Sequence, residues 1–265
     1  MKTILVPVGT STNAQSHLKY AIDFARAISA KVFVVQIYNV YSKAGSMIKV
    51  DQILEAESKA FLEKHVASIN TEGVEVHTKT YKGKLIKTLE RVCQDLEVDL
   101  VVLEPRTNSI KDEVYLGKTS GKIIKRTHIP ALIVPEGCEF KPYSNILMAV
   151  KSALIKKDRV LQPLKTIKAH FKSVVTLLLV KTPHHKESDF EINKELESII
   201  STTQITESPT TFMAVLEHHK ENEADLLCVV RRKRGFFNKL WEKDTILKKD
   251  FYTKTMPVLV LSELK

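Results

Sequence analysis

The chain has 265 residues, 43% apolar and 27% charged, values ordinary for a folded globular protein and sufficient for more than one core. Its net charge of +10 favours anionic partners in general and names none of them. No apolar run approaches the ~20 residues of a membrane span, and the opening "MKTILVPVGTS" has no small-residue cleavage site, so it reads as a first strand rather than a secretory signal.

In chain order, short β-branched runs alternate with longer helical patterns. "KTILVPV" has strand length. "NAQSHLKYAIDFARAISA" places Leu18, Ala21, Ile22, Ala25 and Ile28 on one helical face. "KVFVVQIY" is the next strand, and "NVYSKAGSMIKV" is read as a long loop. "DQILEAESKAFLEKHVASI" is helical, with Leu54, Phe61, Leu62, His65, Val66 and Ile69 in one stripe. "VEVHTKTY" alternates as a half-buried strand and "KLIKTLERVCQDL" is helical again. "VDLVVLE" and "PALIVP" are strands, with the helix "GKTSGKIIKRT" between them. Strict alternation of this kind implies a parallel sheet covered on both faces.

The order then repeats. "NILMAV" echoes "TILVPV", "DRVLQPLKTIKAHF" is a first helix, "VVTLLLVKTP" a second strand, "ADLLCVV" echoes "VDLVVLE", and "MPVLVLS" echoes "IPALIVP". The expectation is an α/β protein of two tandem doubly wound parallel-sheet domains, residues 1–137 and a shorter 144–265, joined by the polar stretch "EGCEFKPYS".

"YLGKTSGKIIK" contains the G-K-T of a phosphate-binding P-loop, but the spacing is wrong. Asp112, not glycine, stands five residues before Gly117, and the preceding strand run ends about ten residues too early. The three cysteines, Cys93, Cys138 and Cys228, form no C-x-x-C pattern, which argues against a disulfide framework or zinc site and fits a reducing cytoplasm. Cys93 and Cys228 sit in apolar patterns and read as core, whereas Cys138 is placed for exposure. The pairs His184-His185 and His218-His219 point in divergent directions and read as surface histidines, so no metal is assigned. No nucleophile–base pair and no informatively spaced carboxylates stand out, so no catalytic residue is assigned.

The opening "ILVPVGTS", the block "VDLVVLE…LGKTSGKII" and the closing strands "IPALIVP" and "MPVLVLS" resemble the universal stress protein family in its tandem form, over nearly the whole chain. The resemblance implies a Rossmann-like fold of the adenine nucleotide alpha hydrolase type. It also implies pairing of the two closing strands within the chain, possible homodimers, and a role in stress response or regulation. In the nucleotide-binding branch the fourth strand runs into G-x-x-G-x9-G-[ST], whose backbone amides hold phosphates, and an aspartate after the first strand holds the adenosine end. Aligned on that pattern, Gly117 is the last glycine, but Glu104 and Thr107 stand at the earlier glycines, Lys118 at the [ST] position and Gly9 at the aspartate. In the second copy the same positions are Val230, Lys233, Asp244, Thr245 and Lys151. Glycine is needed where backbone must approach a phosphate closely. The degenerate pattern therefore implies weak or absent ATP binding and no expected cofactor. The alternative is ATP or AMP held by Pro7, Val8, Gly9, Thr10, Gly117, Lys118, Thr119, Ser120 and Thr245, with weak ATPase activity.

"RRKRGFFNKLWEK" interleaves basic residues with Phe236, Phe237, Leu240 and Trp241. One reading makes Arg231, Arg232, Lys233 and Arg234 an anion-facing adaptor patch for nucleic acid, an acidic protein or a lipid head group, so that the partner would be an acidic protein or small anionic ligand. The preferred reading buries the aromatics and leaves the basic heads solvated, so that arginine substitutions are nearly neutral.

Overall fold

The computed structural model describes residues 1–9, 13–39, 47–105, 117–155, 157–183, 185–232 and 256–263. The first half contains β1 (Thr3–Pro7), α1 (Ala14–Ala27), β2 (Lys31–Tyr38), α2 (Met47–Ala67), β3 (Val76–Lys82), α3 (Leu85–Asp95), β4 (Leu100–Leu103), α4 (Gly117–Arg126) and β5 (Ala131–Ile133). The second contains β6 (Asn145–Val150), α5 (Gln162–Phe171), β7 (Val174–Lys181), α6 (Lys194–Ile199), β8 (Thr202–Glu207), α7 (Thr211–Glu221), β9 (Leu226–Arg231) and β10 (Val258–Ser262).

All ten strands join one sheet in the order β3-β2-β1-β4-β5-β10-β9-β6-β7-β8. Every neighbouring pair is parallel except β5 and β10, which meet antiparallel with Leu132 opposite Leu259. The closing strands therefore pair within the chain. Parallel strands covered on both faces read as continuous apolar runs, and alternate residues serve opposite cores. Ile4 and Val6 pack with α1 and α5 on one face, and Leu5 packs with α3 and α4 on the other. Among the described residues, no helix is long and apolar enough to cross a membrane.

The repeat extends to small devices. Asp99, just before β4, accepts hydrogen bonds from the Lys2 and Thr3 amides at 2.6 and 3.0 Å. Asp225, just before β9, takes the Ser144 and Asn145 amides at 2.7 and 3.2 Å. Each aspartate thus ties the start of one parallel strand to its neighbour. Helices α1, α3, α5 and α7 are each followed by a left-handed residue that is not glycine: Ser29, Glu97, Lys172 and Glu223.

An aromatic cluster joins the halves. Tyr20 and Phe24 of α1 meet Phe140 and Tyr143 of the connecting segment and Phe171 of α5, with ring centroids 5.6–6.4 Å apart. The Tyr20 and Tyr143 hydroxyls bond each other at 2.5 Å in the core. Desolvation raises both phenols well above their ordinary range, so both stay protonated.

Three expectations need correction. Met47–Val50, read as loop, are the first residues of α2. His219, read as a surface residue, is buried, and its Nδ1–H donates to the Leu216 carbonyl at 2.9 Å, because the carbonyls of its own helix give the ring a polar partner inside the core. Cys138 is half-buried rather than open. Cys93 and Cys228 are buried as expected, and desolvation pushes the Cys93 thiol up to about 12, which makes it unreactive.

Candidate ligand cavity of the first half

In an open parallel sheet, ligands sit beyond the carboxyl ends of strands where the strand order reverses. Here that point is β1, flanked by β2 on one side and β4 on the other. A cavity of about 310 Å³ lies there. Pro7, Val8 and Gly9 continue β1 into its wall, and the end of β2 adds Val35, Gln36 and Ile37. Leu103 and Glu104 close β4, Leu85 opens α3, and Ser120 comes from the first turn of α4. The walls are held by backbone bonds: Val8 N–H to the Val35 carbonyl at 2.8 Å, and Val134 N–H to the Leu103 carbonyl at 2.8 Å. Gly83 bends the chain into α3 at φ +146°, and a Cβ there would meet the Thr88 hydroxyl at 2.5 Å.

Two polar features set the chemistry. The buried Ser120 hydroxyl donates to the Glu104 backbone carbonyl at 2.7 Å, which fastens the start of α4 to the end of β4. Gln36 interrupts the apolar run of β2, and its buried Oε1 has no hydrogen-bond partner among the described residues. Of the residues the sequence pointed to, Pro7, Val8, Gly9 and Ser120 come together here. The backbone of Gly117, Lys118 and Thr119 forms the start of α4, while their side chains, and Thr10 and Thr107, lie outside the described residues. Gln36, Ile37 and Leu85 were missed; a glutamine inside "VFVVQIY" was the available signal.

In the second copy the segment after its first strand is tied down by its own chain. Residues 151–155, which follow β6, are pinned by the short turn Glu187–Phe190 and by Asn193. Ala153 N–H donates to the Asp189 carbonyl, and Asn193 Nδ2 donates to the Ile155 carbonyl, each at 2.6 Å. Burial pushes the Asp189 carboxyl up. Hydrogen bonds from the Lys186 amide and Ser152 side chain, with Lys151 and Arg232 nearby, outweigh that and hold it below its usual value.

The basic segment departs from the expected solvated heads where it is described. Arg231 ends β9, is only 8% exposed, and donates from Nη1 to the Thr127 carbonyl just past α4, across the seam between halves. Desolvation lowers its guanidinium to about 10. Arg232 pairs with Glu263 at 2.8 Å and donates to the Leu154 carbonyl. Lys233, Arg234, Phe236, Phe237, Leu240, Trp241, Asp244 and Thr245 lie outside the described residues. Arg231→Gln is therefore expected to cost about 1.5–3 kcal/mol, the range for a hydrogen bond made by a charged group, while leaving polyanion binding unchanged. Urea unfolding beside a polyanion titration at two salt concentrations checks this, and an unaltered midpoint with lost salt-sensitive binding would refute it.

The family model that matches residues 1–135 is that of the universal stress protein family. Among curated proteins, Universal stress protein MJ0531 of Methanocaldococcus jannaschii is 24% identical over 138 residues, which is 50% of this chain and 81% of that one. A universal stress protein from Archaeoglobus fulgidus superposes with a TM-score of 0.71 at 16% identity, covering 98% of this chain and 96% of its own. A functionally unknown protein from Pseudomonas aeruginosa, PA1789, gives 0.55 at 13% identity, covering 98% and 92%. At those identities the two structures speak to the fold alone. With half of the chain matched by the family model and the doubly wound architecture present, the chain belongs to the universal stress protein family.

Proposed function

We propose that the protein is a regulatory binding protein whose working site is the cavity of the first half, and that it binds ATP weakly. The observation that carries this is the cavity at the β1 crossover, walled by Pro7, Val8, Gly9 and Ser120 but with Glu104 where a phosphate cradle needs glycine. The fold supplies the crevice, while the chemistry of its rim opposes a triphosphate. On this reading the chain consists of two units, 1–137 and 144–265, with the second serving as scaffold. Its counterpart position is held by the Ala153–Asp189 and Asn193–Ile155 bonds, which fits that assignment.

Calorimetry with ATP is the direct test, beside mass spectrometry of the purified protein after mild denaturation. Each missing backbone contact is worth about 1 kcal/mol, and three or four together move affinity by two to three orders of magnitude. The expected result is ATP affinity weaker than micromolar. Micromolar affinity would overturn the reading and give Lys118 the role of replacing the lost amides, which Lys118→Ala would then reveal as weakened binding.

A further inference from the structure

We propose that β8 is an interaction edge at which two copies of this chain pair, antiparallel and about a two-fold axis, into one continuous sheet. The edge lies on the far side of the second half and is independent of the cavity beside β1.

The two outer strands of the sheet are built differently. An open edge recruits further strands unless lysines, a proline, a bulge or a covering element guard it. β3 is guarded: His77, Lys79 and Lys82 stand along it, and the 21-residue α2 packs against it. β8, "TTQITE", has no lysine, arginine or proline, and four of its six residues are β-branched, which suits a paired strand. Helix α6, which stands between β7 and β8 as α2 stands between β2 and β3, has only six residues. Ile205 sits beside Leu179, whose side chain joins the core under α5 and α6. Ile205 itself is 63% exposed, more than any other large apolar side chain among the described residues. The strand is also held in place before it meets a partner. The Thr202 hydroxyl bonds that of Thr176 at 3.0 Å at one end, and Glu207 pairs with Lys181 at 2.6 Å at the other. Order of this kind lowers the cost of association.

The charge pattern selects a second copy as the occupant. Glu207 is the only charged residue of β8, and Lys181 faces it. A two-fold axis normal to the sheet keeps each core on its own side, so only residues of equal facing can stand opposite one another. Either Ile205 meets its own counterpart, with Thr203 opposite Glu207, or Gln204 meets its own counterpart, with Ile205 opposite Thr203. In neither register does the carboxylate meet itself, and in the first the two exposed isoleucines cover each other. Pairing of β8 with β3 of another copy would be head-to-tail and would run on into a fibre, and the lysines of β3 oppose it.

The test is sedimentation equilibrium of the full chain from about 1 μM to 1 mM, since one strand pair is a small interface and its association is weak. A monomer–dimer equilibrium is expected. Ile205→Lys should raise the dimer dissociation constant at least about tenfold, with an unaltered melting temperature at the dilute end. Ile53→Lys, at an exposed apolar residue of α2, should leave it unchanged. The register is read by cross-linking in a Cys138→Ser background. Directly opposed residues have Cβ atoms about 4.5–5.5 Å apart, close to disulfide reach, so Ile205→Cys or Gln204→Cys should form a linked dimer under mild oxidation. A monomer across the whole range, a dimer indifferent to Ile205→Lys, or open-ended association would each overturn the proposal. So would failure of both cysteine variants to link.

Discussion

Phe24→Ala is expected to lower the unfolding free energy by about 3–5 kcal/mol, the range for deleting a buried aromatic side chain. Phe24 is fully buried and touches Phe140, Tyr143 and Phe171, so its ring belongs to both halves of the molecule. The loss should therefore appear as one shifted cooperative transition in chemical denaturation. A second measurement isolates the junction. Phe24 and Phe171 lie 6.4 Å apart on α1 and α5, and a double-mutant cycle to leucine should show about 0.5–1.5 kcal/mol of coupling. Two separate transitions, with only one moved by Phe24→Ala, would show that the cluster does not join the halves energetically.

The second large effect is a pH dependence. His17 lies in α1 with its ring buried, and neither ring nitrogen has a hydrogen-bond partner of good geometry among the described residues. Desolvation lowers it from 6.5 to about 4, and the Val102 backbone offsets only part of that. The unfolded chain therefore binds the proton more tightly than the folded one. Stability from the neutral ring is complete above about pH 6.5 and is lost as pH falls toward 4, for a total of about 3 kcal/mol. Between about pH 4.5 and 6.5 most carboxylates are already ionised in both states, so the slope there comes from histidines, and comparison with a His17 variant isolates the share of His17. His17→Leu should flatten the slope of unfolding free energy against pH there. An identical slope in both proteins would refute the assignment.

The central strands were legible because they are buried on both faces: "ILVPV", "LVVLE", "NILMAV" and "LLCVV" leave little room for a helical reading. β8 went unread for the opposite reason. It is the outer strand of its half, "TTQITE" carries a single large apolar residue, and Ile205 is exposed. Helix ends were blurred because Ser29, Glu97, Lys172 and Glu223 take left-handed conformations that glycine usually marks. The cavity was half legible. Pro7, Val8, Gly9 and Ser120 follow from the resemblance to the family's pattern, whereas Gln36, Ile37 and Leu85 meet them only because the sheet order places β2 and α3 beside β1. Phe140 and Tyr143 were read as linker, since a polar stretch gives no sign of which rings turn inward.

The single antiparallel contact, β5 against β10, also changes what a substitution does. In a symmetric dimer built on such a junction, every amino-acid change is made twice, and both subunits bear the same loss or gain. Covalent continuity removes that constraint. One gene position now corresponds to one place at this junction, so a glycine lost beside β9 leaves the crevice beside β1 untouched. The Arg231–Thr127 bond uses this freedom: the first-half counterpart of its donor is Pro105, which has no guanidinium to make the mirrored bond.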